Sequence, residues 1–244
     1  STPSGTGRSK QIIRSLARRG WRVTAAAADP RAPGFYSRHA ADRLRYPSPD
    51  RDPDAAIAAI LDGCRRRGID LLIPVTDEVI LPLAARPGRL PEVPIVAVAD
   101  RTALELAWDK QATLELANRL GVPIPRTVPV RTVAEAVEAA WQLGWPIVLK
   151  PRRSRRYVPG RPIERFTVAY ADDAAEVARL AGSLVERTDL LVQEYCPGGG
   201  QGVELLLDHG RPLAAFQHRR LREVPVTGGA SAYRESVPLD AELL

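Results

Sequence analysis

The chain has 244 residues, 45% of them apolar, 26% charged and 5% aromatic, with a formal net charge of +6 and two cysteines, Cys64 and Cys196. That length exceeds one average domain and implies two or three subdomains with real cores. No apolar run approaches the ~20 residues that span a bilayer, no signal peptide is visible, and two isolated cysteines make neither a disulfide scaffold nor a zinc site, so a cytoplasmic protein with no membrane partner is expected. The basic balance suits an anionic small ligand such as a nucleotide.

Residues 1–7, STPSGTG, form a glycine-bearing loop. Lys10 stands at the third glycine position of a dinucleotide fingerprint and no Gly-Lys-Ser/Thr follows, so the loop carries little weight as a phosphate site. Ile12, Ile13, Leu16 and Ala17 recur at helical spacing and predict a helix over 8–19, stopped by Gly20. A strand follows over 21–28. A second amphipathic helix spans 54–67 and ends at Gly68; a short buried strand, IDLLIPV, covers 69–75; a short helix covers 79–85; another strand covers 94–99. This alternation predicts an open parallel α/β sheet over residues 1–100 whose first strand is missing. Asp77 and Glu78 follow a strand end, where they either contact substrate or cap the next helix.

Residues 102–120 read as one long helix carrying Asp109 and Lys110, 122–130 as an extended segment, and 132–143 as a helix ended by Gly144. Ile147, Val148 and Leu149 are a short β-branched apolar run that suits a buried strand. Lys150 sits at its end, before Pro151. Lysine is scarce here, present only as Lys10, Lys110 and Lys150 among 35 Lys and Arg. A compact ammonium held by a stiff strand suits a point contact to phosphate oxygens. Residues 152–165, RRSRRYVPGRPIER, form a basic loop, either a bidentate clamp on phosphate or a solvated, partly disordered segment. A returning strand over 166–170 and a helix over 172–186 complete a small α+β unit. Residues 190–196, LLVQEYC, are a strand running into Pro197 and glycines; 203–208 is a strand; His209-Gly210 signals a hairpin; 211–226 supplies its partner, broken by Gly228-Gly229; and Asp240 reads as a helix N-cap.

The order Asp109-Lys110, WPIVLKP, LLVQEYC-Pro-Gly, Val203-Glu204 and RRLREVPVTGG resembles the ATP-grasp superfamily. It is most similar to the carbamoyl-phosphate-synthase-like group of predicted ATP-dependent carboxylate–amine ligases, relatives of biotin carboxylase. The resemblance implies α/β followed by α+β: a pre-ATP-grasp domain over 1–100, the small ATP-grasp subdomain over 101–188, and the start of the C-terminal subdomain over 189–244. It implies ATP as cofactor, with Lys110 and Lys150 on the phosphates, Glu204 on the ribose, and the strand Gln193, Glu194, Tyr195, Cys196 along the adenine. A strand leaving a sheet offers adenine one acceptor and one donor from its backbone: the carbonyl of Glu194 and the N–H of Cys196, with Pro197 unable to donate. Arg222 is the candidate for steadying an acyl phosphate; on a strand, His218, Arg220 and Arg222 share one face.

Two departures matter. Where relatives carry a glycine-rich phosphate lid, this chain has Arg152, Arg153, Arg155, Arg156 and only Gly160. The family's magnesium ligands and its Glu-x-Asn segment lie beyond the glycine pair, so Mg2+ ligands are expected beyond residue 244 and the chain is expected to be a truncated, inactive portion of a carbon–nitrogen ligase. The partners implied are ATP, a small carboxylate and a nucleophile, with self-association through an apolar sheet edge. The alternative is a non-catalytic nucleotide-binding or regulatory domain. A nucleic-acid surface is disfavoured, because no aromatic platform interleaves with the arginine loop.

Overall fold

The computed structural model describes residues 6–86, 95–224 and 230–243. Residues 1–5, which hold most of the N-terminal glycine loop, residue 94 of the predicted 94–99 strand, and Gly228-Gly229 lie outside them. The chain groups into two units: Ser1–Ile124 with Pro151–Thr167, and Pro125–Lys150 with Val168–Leu244. No helix among the described residues is long and apolar enough to cross a membrane.

The first unit opens with α1 (Thr6–Ala17), whose Ile13 packs on Ala25 of β1 (Thr24–Ala27) and on Phe35. β1 pairs in parallel with β2 (Asp42–Arg45), a strand without a sequence signal because only Leu44 in it is apolar and buried. Helix α2 (Pro53–Arg67) starts where the Asp52 carboxylate accepts from the Ala55 N–H at 2.9 Å and ends where Gly68 takes φ 59°, the left-handed value glycine adopts without steric cost. Its Ile57, Ile60, Leu61 and Cys64 pack against Val79 and Leu83 of α3 (Asp77–Ala84), which follows β3 (Leu71–Leu72). β3 pairs in parallel with β4 (Ile95–Val96). The expected parallel sense holds, but among the described residues the single open sheet is two separate pairs. The strands are short, and Pro74, lacking an N–H, curtails β3.

The predicted helix over 102–120 is two helices, α4 (Arg101–Trp108) and α5 (Lys110–Arg119). The break is at Asp109, which takes extended backbone (φ −97°, ψ 102°) and turns its carboxylate to the N–H groups of Gln111 and Ala112 at 3.1 and 3.2 Å. An aspartate that caps satisfies orphan helix donors and so competes with helix continuation.

The chain then enters the second unit through β5 (Thr127–Val130), α6 (Val133–Leu143) and β6 (Ile147–Pro151). It returns to the first unit for a small hairpin, β7 (Arg155–Arg156) with β8 (Glu164–Arg165), and completes the second with β9 (Ala169–Ala171), α7 (Ala174–Gly182), β10 (Leu190–Glu194), β11 (Gln201–Asp208), β12 (Arg211–Val224) and β13 (Ala230–Val237). Strands β5, β10, β6 and β9 form one sheet in that order. Its core joins Ile147, Leu149, Leu190 and Val192 of the central strands to Ala136, Ala139 and Ala140 of α6 and Val177 and Ala181 of α7. The small alanine faces let both helices approach the sheet closely. β11, β12 and β13 make a separate antiparallel meander.

The arginine-rich loop is neither disordered nor an open clamp. Arg152 lies on Asp109, with Nε 2.9 Å from both carboxylate oxygens; Arg153 lies 2.9 Å from Glu105; Arg155 lies 3.1 Å and Arg165 2.9 Å from Glu78; and Arg165 also reaches Asp50. The Tyr157 hydroxyl and the Gly160 N–H donate to the two oxygens of Asp54 at 2.6 and 2.7 Å. Burial and that hydrogen bond push the tyrosine's pKa up to about 12.

Asp109 carries the most of this. Burial alone would raise its pKa, but hydrogen bonds from Arg152 and Ala112 and the charges of Arg152 and Arg153 outweigh it and hold the carboxyl below the ordinary aspartate value. A depressed folded pKa contributes stability that is present above the unfolded value of ~3.9 and lost as pH falls through the folded one. Asp109→Ala should cost ~2–4 kcal/mol in urea unfolding, a helix cap plus charge-assisted hydrogen bonds; an unchanged midpoint refutes the assignment. Asp109→Asn should flatten the loss of stability on acidification below about pH 4.

Candidate functional site

β6 is buried at Ile147, Val148, Leu149 and Pro151, while Lys150 between them is half-buried. Among the described residues Lys150 makes no hydrogen bond or ion pair. Burial pushes its pKa below the ordinary lysine value, and the Cys196 thiol acts weakly in the other direction. Cys196 follows β10, the neighbour of β6 in the sheet. Two residues 46 apart in sequence are therefore brought within electrostatic reach.

β10 is buried through Gln193, and the chain emerges at Tyr195 and Cys196, both exposed. The Gln193 amide donates to the Thr127 hydroxyl at 2.8 Å, which ties β10 to β5. The Glu194 carboxylate accepts from the Arg126 backbone N–H at 2.8 Å and its Nε at 2.6 Å, and the Glu194 N–H donates to the Arg126 carbonyl at 3.0 Å. These contacts hold the Glu194 carboxyl below the ordinary glutamate range. Among the described residues nothing takes up the Cys196 N–H. Tyr195 meets Tyr170 of β9 edge-on, ring centres 6.2 Å apart. Burial, then Glu223 and Tyr195, raise the Tyr170 pKa.

On the meander, Glu204 and His218 share a face by the two-residue period of paired strands, and the carboxylate lies 3.1 Å from His218 Nδ1. Arg234 Nη1 lies 3.7 Å from Glu204. His218 is buried because Gly202 opposes it: a Cβ there would stand 2.5 Å from the imidazole Cε1. Gly200 gives the same room to Arg220 and Glu223, where a Cβ would meet both at 2.8 Å. Arg222 is exposed, and register shifts on either side of it interrupt β12. The predicted sharing of one face therefore holds for His218 and Arg220 but not through to Arg222.

Lys110 belongs to the first unit. Its Nζ donates to the Pro151 carbonyl at 2.9 Å and the Ser154 hydroxyl at 2.8 Å, and its N–H to the Arg152 carbonyl at 3.0 Å. It braces the segment that follows Lys150 in the chain. Tyr170 and Glu223 escaped the sequence reading because their neighbours are distant in sequence. The glycines at 200 and 202, placed where a strand should carry side chains, were the available signal for a close approach.

No protein-family model matches the chain. It is similar to the D-alanine–D-alanine ligase of Pseudomonas fluorescens, 28% identical over 114 residues, 47% of this chain and 33% of that protein. It is similar to the carbamoyl phosphate synthase large chain of Thermomicrobium roseum, 29% identical over 57% of this chain and 12% of that one, and to the β subunit of the ADP-forming succinate–CoA ligase of Albidiferax ferrireducens, 34% identical over 41% and 24%. The chain thus spans between an eighth and a third of these relatives. Among solved structures, the N5-carboxyaminoimidazole ribonucleotide synthetase of Thermus thermophilus aligns with TM-score 0.61 at 18% identity over 86% of this chain and 52% of that one. The biotin carboxylase domain of the Hydrogenobacter thermophilus 2-oxoglutarate carboxylase, solved with MgADP, ADP and bicarbonate, aligns with TM-score 0.61 at 18% identity over 88% and 48%. The fold and these likenesses agree: each is to an enzyme of the ATP-grasp superfamily, whose fold the chain shares.

Proposed function

We propose that the chain is part of an ATP-dependent ligase that joins a carboxylate to an amine or similar nucleophile through an acyl phosphate. The observation that carries this reading is Lys150. A half-buried ammonium with no partner among the described residues is costly unless an anion meets it, and it stands beside the open end of β10, where Cys196 offers an unengaged N–H. An anionic tail on Lys150 with an adenine edge against residues 194–196 satisfies both. ATP fits this donor set.

In this reading residues 1–100 form the leading domain, 101–188 the small ATP-binding subdomain, and 189–244 the start of the next. The substrate carboxylate attacks the γ-phosphorus, ADP leaves, and the nucleophile then displaces phosphate from the acyl carbon. The chain's share is positioning and charge neutralisation. Glu204, held by His218 and Arg234, would accept from the ribose hydroxyls, and Arg222 would meet the acyl phosphate. Lys110, whose ammonium braces Pro151 and Ser154 within the first unit, is given no part in this step. Magnesium enters through the MgADP of the Hydrogenobacter structure. Among the described residues no three His, Cys, Asp or Glu side chains gather to hold a metal ion, so no step is assigned to one. Exposed Leu205, Leu206, Leu207, Leu213 and Phe216 on the β11–β12 hairpin favour pairing with a second copy, which sedimentation across a concentration series reads directly.

Lys150→Ala should weaken ATP by ~1.5–3 kcal/mol, the worth of a charge-assisted contact, and leave adenosine unaffected; equal losses for both would mean damaged folding. Wild-type ATP affinity should fall as pH rises through the depressed Lys150 pKa, below the ordinary lysine value of ~10.4. Cys196→Pro removes the proposed adenine donor and should weaken ATP and adenosine alike; a folded variant with wild-type affinity sinks the adenine assignment.

A further inference from the structure

Helix α1 carries Lys10, Arg14 and Arg18 at four-residue spacing, on one stripe of its surface. With Gln11 they form one wall of a cleft of about 590 Å³ whose other wall carries Arg38 and His39. All of these residues belong to the first unit, whereas Lys150 belongs to the second.

Several other basic side chains of this unit are matched, although exposed arginines such as Arg22, Arg51 and Arg119 are not among them. Arg65 and Arg66 lie on Asp62, Arg67 on Asp42, Arg31 on Asp29, and the arginines at 152, 153, 155, 156 and 165 each lie on a carboxylate. Among the described residues no carboxylate is ion-paired with Lys10, Arg14, Arg18 or Arg38. Like charges four apart destabilise a helix, and among the described residues no carboxylate is paired with them. Lys10, Arg14 and Arg18 facing Arg38 across one cleft concentrate positive potential where field lines are focused.

We propose that this cleft binds a small polyphosphate: two or more linked phosphoryl groups on a compact molecule. The donors suit it, since arginine forks grip phosphate oxygens in pairs and lysine adds a point charge. The volume lies within the range of ~300–1,000 Å³ typical of small-ligand sites. A single-stranded nucleic acid would need a basic track interleaved with aromatic faces for its bases, and no Phe, Tyr or Trp side chain lines this cleft. The site is separate from the proposed ATP site and does not rest on it.

The test is calorimetric titration of the 244-residue chain with inorganic tripolyphosphate, in a Lys150→Ala background so that the proposed ATP site contributes little. Arg14→Ala/Arg18→Ala and, separately, Arg38→Ala should each weaken binding by about tenfold or more, the loss of charge-assisted contacts. Arg65→Ala/Arg66→Ala removes the same charge from matched positions and should leave affinity unchanged. Arg14→Lys/Arg18→Lys should restore part of the binding, which separates recognition from folding, and circular dichroism checks the helix. Equal losses in the Arg65/Arg66 control, or no loss in the cleft variants, overturn the proposal. So does a single-stranded oligonucleotide that binds more tightly than tripolyphosphate and is displaced by the same substitutions. Failure of ATP to bind the unsubstituted chain would count against Lys150 and leave this result standing.

Discussion

The contact on which much of the first unit depends is the one between Asp109 and Arg152. Asp109 is nearly buried, with 8% of its side chain exposed. One carboxylate ends α4, starts α5 and receives a bidentate guanidinium from a segment more than forty residues away. Geometry of this kind gives direction as well as energy. The next residue extends the grip, since Lys110 reaches Pro151 and Ser154. Aspartate supplies the acceptor pair and lysine the multiple donors, so the dipeptide fixes four consecutive residues of the returning chain by complementary chemistry. Glu78 and Asp54 repeat the device further along the same loop. A loop so rich in arginine would ordinarily remain solvated; here carboxylates from several elements offset the entropy of ordering it.

The second unit solves a different problem. Its sheet must hold a cation at the end of a buried strand without giving it a counter-ion. Alanines on α6 and α7 allow close packing over Ile147 and Leu149, and that packing keeps Lys150 from swinging out fully to water. The cost appears as a lowered lysine pKa. Side chains that the sequence marks as polar around it are otherwise occupied: Gln193 with Thr127, Glu194 with Arg126. What remains for a ligand is the ammonium and the backbone beyond β10.

The strand of Lys150 was legible because three β-branched or leucine residues between prolines leave few other conformations. The strand 190–194 was legible from its apolar run Leu190, Leu191 and Val192 ahead of Pro197, and Gly68 marked its helix end through a backbone need. The helix break at Asp109 was not legible. Helical periodicity runs through it, and the competing cap depends on Arg152, which sequence places far away. The split of the leading sheet into two pairs was equally hidden, because apolar runs reveal strands but not how long their ladders remain paired. Side-chain roles fared worse than elements. Residue type alone does not reveal that Lys110 and the arginines at 152, 153 and 155 have the protein's own carboxylates, carbonyls and a hydroxyl as partners. The tie from Gln193 to Thr127 is hidden in the same way, its partner lying 66 residues away.

The net charge of +6 therefore says little by itself. Arginine serves two opposite purposes in this chain, and only pairing separates them. At Arg65 and Arg67 of α2 and at Arg152 and Arg155 of the loop its field is cancelled within a few ångströms by a carboxylate. On α1 it recurs at helical spacing with no carboxylate paired to it among the described residues. An exposed pair contributes little to stability in either case, so stability does not explain why one set is matched and the other is not. The field does: matched arginines are nearly silent beyond a Debye length of ~8 Å, while an unmatched stripe facing a second basic wall attracts anions from solution. The uneven pairing, rather than the total charge, is where the sequence's excess of arginine becomes a statement about ligands.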